Sequence, residues 1–156
     1  MTEQQIVKKN ERYTVEIVDL SYEGMGVAKI DGYPLFIENA LPGEEVEILV
    51  VKAGNKFGYG KVETFITQSP DRQPVENNAL LRTGIAPLAH LKYEQQLVFK
   101  QKQVEHVMAK IAKMPEVPVF PTVGMAEPFG YRNKAQIPVR RIDGQLATGF
   151  YKKNSH

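Results

Sequence analysis

The sequence predicts a mainly β protein with one long helix: a five-stranded OB-like barrel followed by an incomplete α+β domain. Three observations point there. Five short runs of alternating apolar and polar residues lie within the first 70 positions. Turn-forming pairs and glycines separate them. A single stretch with helical apolar spacing follows, over about 93–114.

Residues 1–10 are polar and expected to fray. In the first run Tyr13, Val15 and Ile17 share one face. The second, from Gly24 to Ile30, ends at Asp31-Gly32, a pair suited to the two-residue hairpin turn. The third, Tyr33 to Ile37, closes at Leu41-Pro42-Gly43; Glu45 to Val51 and Tyr59 to Thr67 complete the set. Closing five strands into a barrel removes edges that an open sheet would leave exposed. Gly24, Gly26, Gly58 and Gly60 suit the bends this requires. A small SH3-like barrel is the competing architecture.

The polar, proline-bearing segment 68–74 reads as a linker, giving a barrel over 1–70 and a second domain over 71–156. In the helix Tyr93, Leu97, Val104, Met108 and Ile111 fall on one face, with Lys100, Lys102, Glu105, Lys110 and Lys113 turned away. The expectation is a helix burying that stripe in its own domain. Pro118 and Pro121 end helical structure and leave 117–123 as an edge strand. A hairpin is expected over about 131–151, turning at Asp143-Gly144.

The absence of cysteine excludes disulfides, thiolate metal sites and cysteine nucleophiles within the chain. His90, His106 and His156 are too scattered for a zinc site, and His90 reads as a satisfied structural histidine. No apolar run approaches the length of a membrane span, and no basic stretch leads into an apolar core at the N-terminus. A cytoplasmic location is expected. Charge is uneven: residues 1–70 hold 7 Lys/Arg against 11 Asp/Glu, residues 71–156 hold 13 against 7. The second half is the better candidate for contact with a polyanion.

Two constellations could carry binding chemistry. Lys52, Lys56, Phe57, Tyr59 and Lys61 lie within ten residues together with three glycines. Aromatic faces stack on unpaired bases, lysines meet phosphates, and glycines permit close backbone approach. In the second, a two-residue period turns Arg132, Lys134 and Gln136 one way, with Arg140 and Arg141 following and Phe150 and Tyr151 beyond the turn. Such a row can hold a phosphate backbone and reach base edges. A glycine-rich hairpin capping the barrel and a solvated basic strand are the plainer alternatives. Glu44 and Glu45 read as turn carboxylates. No phosphate-cradling loop, dinucleotide fingerprint or nucleophile elbow is present.

Four stretches, in order, carry a family resemblance: LSYEGMGVAK at 20–29, NALPGE at 39–44, HLKYEQQL at 90–97, and GYRNKAQ at 130–136 with Gly149-Phe150-Tyr151 and Ser155-His156. Together they resemble the N-terminal part of bacterial RNA uracil-5-methyltransferases that act on 23S ribosomal RNA. The first two are similar to that family's TRAM domain, an OB-type RNA-binding barrel, and the last two to its central domain. The resemblance implies RNA, 23S ribosomal RNA in particular, as partner, with neither DNA nor membrane. It implies a catalytic domain lying further along the chain, with S-adenosylmethionine as cofactor there, so no catalytic residue is assigned here. Relatives with an iron–sulfur cluster carry cysteines where this chain has Thr83 and Ala86, and another near Asn77. Without thiolates a cubane cluster is not expected, and Leu80, Ile85 and Leu88 are expected to fill the space. The alternative to this reading is a stand-alone RNA-binding or chaperone-like protein.

Overall fold

The computed structural model describes residues 6–153. Residues 1–5, half of the segment expected to fray, lie outside the described residues, as do Ser155 and His156 of the family resemblance. The chain forms two compact units, one comprising 6–75 with 87–92, the other 76–86 with 93–153.

The first unit is a curled antiparallel-rich sheet in the order β1-β5-β6-β4-β3-β2. Its strands are β1 (Arg12–Glu16), β2 (Asp19–Leu20), β3 (Gly26–Ile30), β4 (Tyr33–Glu38), β5 (Glu45–Ala53) and β6 (Gly58–Thr67). Six strands replace the expected five because the first breaks in two. Ile17 N–H donates to Glu44 O at 2.9 Å, whereas Val18 N–H donates to Val27 O at 2.8 Å. β1 therefore pairs with β5, and β2 with β3. The ladder is open, yet its two edges are consecutive halves of one segment. β4 and β6 run parallel, and irregularities along the long β5–β6 pair let it bend.

Strand alternation builds the core. Tyr33, Leu35 and Ile37 of β4 and Val46, Ile48 and Val50 of β5 point inward with Val15, Ile17 and Ala28. Val7 is fully buried among them, and Asn10 N–H donates to Val50 O at 2.8 Å, so the described part of the expected frayed segment is packed. The β3–β4 turn places both Asp31 and Gly32 at positive φ, the conformation that the pair was expected to supply.

Segment 69–75 is tied to this sheet by Arg72, and residues 87–92 are joined to that segment by Gln73 N–H donating to His90 O and Lys92 N–H donating to Asp71 O, both at 2.9 Å. The Arg72 guanidinium donates twice to Glu44 and twice to Asn39, and lies 4.5 Å from the centroid of the Phe65 ring. Glu44, which follows the turn at Pro42-Gly43, is fully buried and also accepts the N–H groups of Leu41 and Ser69, whereas Glu45 is exposed. Burial pushes the Glu44 carboxyl pKa up, but Arg72 and the two backbone donors together carry it below the ordinary value. His90 is buried as well, but neither ring nitrogen meets a partner in hydrogen-bonding geometry, contrary to the satisfied histidine expected. Burial first, then the positive Arg72, depress its pKa to about 4 against the opposing influence of Glu44 and the Ala40 backbone.

The second unit contains a short helix α1 (Ala79–Arg82), a long helix α2 (Tyr93–Lys110) and a hairpin of β7 (Val139–Ile142) and β8 (Gln145–Thr148). α2 stops four residues before the expected end, where Ile111 and Ala112 N–H groups both turn to Val107 O and Lys113 adopts a positive φ. Its stripe is only partly buried: Tyr93, Leu97 and Met108 are half-buried, whereas Val104 is 49% exposed and Ile111 77%. No described side chain of α2 is fully covered.

Residues 117–123 form no strand. With prolines at 118 and 121 breaking any ladder, the segment runs along α2 instead. Gln101 Nε2 donates to Val119 O at 3.2 Å, and Thr122 Oγ1 to Leu97 O at 2.9 Å. The hairpin turns at Asp143-Gly144, both at positive φ, as expected, but its strands are only four residues each.

Candidate nucleic-acid interface

The outer face of the barrel carries the first candidate site. Because β4 and β6 alternate inward and outward, Phe36 and Tyr59 both point away from the core, and parallel pairing sets them side by side. The register extends this into a row across four strands: Val27 opposite Phe36, Phe36 opposite Tyr59, Tyr59 opposite Lys52. Gly58 and Gly60 occupy the inward positions flanking Tyr59. A Cβ at Gly58 would lie 2.7 Å from Lys52 O and 2.9 Å from Leu35 Cδ2, so glycine is what allows β6 to close on its neighbours there.

Phe57 completes a triangle with Phe36 and Tyr59, every pair of ring centroids being 5.8 Å apart. The loop bearing Lys56 and Phe57 is anchored from beneath by Tyr33. Its hydroxyl donates to Gly54 O at 2.8 Å and accepts from Gly54 N–H at 3.1 Å, while that N–H also reaches Phe57 O at 3.0 Å. Lys52, Lys56 and Lys61 are all exposed. None forms a salt bridge with a described carboxylate, although Glu38 stands opposite Lys61 in the ladder.

Of the expected first constellation, then, the structure clusters Lys52, Phe57 and Tyr59 and leaves Lys56 at the loop tip. Phe36 was missed by sequence reasoning. Its signal was present: Tyr33, Leu35 and Ile37 occupy the inward positions, so the aromatic between them has to face outward.

The second candidate site lies in the second unit. Residues 131–137 are not a strand, which corrects the expected two-residue period, yet Arg132, Lys134 and Gln136 still converge. With Ala135 and Phe150 they line an open cleft of about 310 Å³. Arg132 and Lys134 are exposed and form no salt bridge with a described carboxylate. Arg140 and Arg141, neighbours on β7, diverge: Arg140 lies 5.8 Å from the Tyr151 ring centroid, and Arg141 Nη1 donates to Gly144 O at 3.3 Å. Two cations, an amide and an aromatic ring around one cleft can engage a phosphate and an unpaired base together.

Among the described residues no group of three or more His, Cys, Asp or Glu is placed to hold a metal ion. Leu88 packs against Gly24 in the first unit. In the second unit Leu80 is half-buried, whereas Ile85 is 39% exposed and fills no interior space. No helix of the described residues is long and apolar enough to cross a membrane.

Residues 7–62 match the family model of the TRAM domain. A protein of Enterococcus faecalis named as an uncharacterised RNA methyltransferase is 61% identical over 150 residues, covering 96% of this chain and 33% of its own length. One of the same description from Streptococcus agalactiae is 56% identical over 151 residues, covering 97% of this chain and 34% of its own. A solution structure of a conserved protein from Methanococcus maripaludis aligns at 28% identity and TM-score 0.39 over 40% of this chain and 90% of that one. The chain spans about a third of the length of the curated relatives it matches. The chain thus matches the TRAM domain at residues 7–62 and is similar along nearly all its length to bacterial proteins named as RNA methyltransferases.

Proposed function

We propose that this chain is the RNA-recognition portion of an S-adenosylmethionine-dependent methyltransferase acting on uracil C5 of 23S ribosomal RNA. The observation that carries the RNA part is the outward row of Phe36, Tyr59 and Lys52 on a TRAM-domain barrel, with Lys56, Phe57 and Lys61 beside it. Arg132, Lys134, Gln136, Arg140 and Arg141 form the second RNA-contacting surface in this reading. Their exposure, with no salt bridge to a described carboxylate, suits a phosphate backbone, which rewards cations that are free to release counterions.

The relatives' names support methyl transfer to RNA; uracil C5 and 23S ribosomal RNA come from the motifs at 20–29, 39–44, 90–97 and 130–136. S-adenosylmethionine supplies the methyl group in this reading, and no residue of this chain is assigned to it. The chain offers no thiolate to an iron–sulfur cluster, and a cluster-free member is part of the same proposal. A cytoplasmic location, where ribosomal RNA of bacteria is modified, belongs to the same proposal.

The test is methylation of 23S ribosomal RNA by the full-length protein with isotopically labelled S-adenosylmethionine, read by nucleoside mass spectrometry. The expected product is 5-methyluridine. Label in another nucleoside, or none, overturns the assignment. Replacing Arg132 and Lys134 with alanine is expected to reduce RNA affinity and lessen the dependence of log affinity on log salt by about one per lost phosphate contact. An unchanged slope removes those two residues from the interface.

A further inference from the structure

We propose that Phe36, Phe57 and Tyr59 form a stacking corner for unpaired nucleobases, making this face of the barrel selective for single-stranded over duplex RNA. The inference rests on the RNA reading above and adds to it the state of RNA that this surface takes. Phe36 is the pivotal residue, being the member of the trio that the glycine-rich loop and β6 do not supply.

The geometry is that of a corner. The Phe36 and Tyr59 planes are inclined by 39°, so the two rings form a shallow floor along the strand register. Phe57 stands at 79° to one and 84° to the other, a wall against that floor. Phe57 is 44% exposed, and Phe36 and Tyr59 are half-buried. The barrel core, drawn from the opposite face of the same strands, contains none of the three. Their aromatic surface is therefore available to a flat apolar partner.

Charge names the partner. Lys52 ends the row beside Tyr59, Lys56 tips the loop next to Phe57, and no acidic residue occurs from 52 to 61, although 1–70 as a whole is acidic. A flat ring joined to a polyanion is a nucleotide in a strand. Within a duplex the π-faces are covered by neighbouring pairs, so only unpaired bases can lie on the corner. The trio has a single hydroxyl, on Tyr59, so stacking rather than hydrogen-bond readout dominates. Base identity is expected to matter little.

The experiment uses the full-length protein, a labelled unstructured RNA of roughly 12 nucleotides, and the blunt duplex of the same sequence. Wild type is expected to prefer the single strand. Phe36→Ala and Phe36→Leu are each expected to weaken single-strand binding about tenfold, a typical loss for one stacked base. Duplex binding and the salt dependence should stay unchanged, since no phosphate contact is touched. Phe36→Leu keeps apolar volume and so separates loss of the π-face from loss of the fold; Phe36→Trp is expected to retain wild-type affinity. Wild-type affinity in Phe36→Leu, or equal losses for single strand and duplex, overturns the stacking corner while leaving RNA binding in place. Failure of wild type to bind either RNA at low salt overturns both.

Discussion

Arg72 reaches across 28 positions of sequence to hold Glu44 at two points, Nε to Oε1 at 2.6 Å and Nη2 to Oε2 at 2.8 Å. The carboxylate is fully buried and the guanidinium side chain only 12% exposed. Removing one member leaves an uncompensated buried charge. Arg72→Ala is expected to lower the unfolding free energy by about 3–5 kcal/mol in urea denaturation. Replacing both, Glu44→Leu with Arg72→Met, is expected to restore only part of that loss, because it removes the stranded charge but leaves the Leu41 and Ser69 N–H groups without their acceptor.

The same pocket sets a pH dependence. His90 has a pKa near 4 when folded and about 6.5 ordinarily, so between those values the unfolded chain binds a proton that the folded chain does not. Stability therefore falls as pH drops from about 6.5 to about 4, by at most about 3 kcal/mol. The depressed pKa of Glu44 acts in the same direction at lower pH, where its carboxylate becomes protonated and loses its donors. Melting temperatures across this range should fall for wild type and stay nearly level for His90→Leu until Glu44 titrates. A parallel fall in the variant would remove His90 as the cause.

Tyr33 positions the loop carrying Lys56 and Phe57 through its two hydrogen bonds with Gly54. Tyr33→Phe keeps the buried ring and deletes the hydroxyl, costing about 1 kcal/mol. Amide exchange at Gly54 and Asn55 should accelerate while the rest of β5 stays protected. RNA affinity should fall with an unchanged salt slope, because ordering of the loop is lost and no cation is.

Gly58 tests the close approach of β6. Gly58→Ala sets a methyl against the Lys52 carbonyl and Leu35. Overpacking of this kind costs about 1–3 kcal/mol, and the forced shift moves the adjacent Tyr59 relative to Phe36. Both thermal stability and single-strand RNA affinity are expected to drop. Unaltered stability would mean that the strands can yield without cost.

Much of the architecture is local chemistry and was legible as such. Asp31-Gly32 and Asp143-Gly144 turn hairpins because those residue types tolerate positive φ at both positions. Strand alternation located β3 to β6 within a few residues, and helical spacing located α2. The lysine and aromatic character of 52–61 and the basic stretch at 132–141 were readable for the same reason. The expected strand at 117–123 did not form, and the first arm of the expected hairpin, from 131, is a strand only from Val139. Prolines interrupt 117–123, and alternation alone over 131–137 provides no partner strand to complete a ladder.

What the amino-acid order by itself determined is which residues turn, extend or coil, because those preferences are settled between neighbours a few positions apart. Tertiary structure decided that Glu44 is buried beneath Arg72, that the first strand divides between β5 and β3, and that Phe36 meets Phe57 and Tyr59. Each of those depends on register between segments distant in sequence, and register is chosen by the packing of the whole sheet.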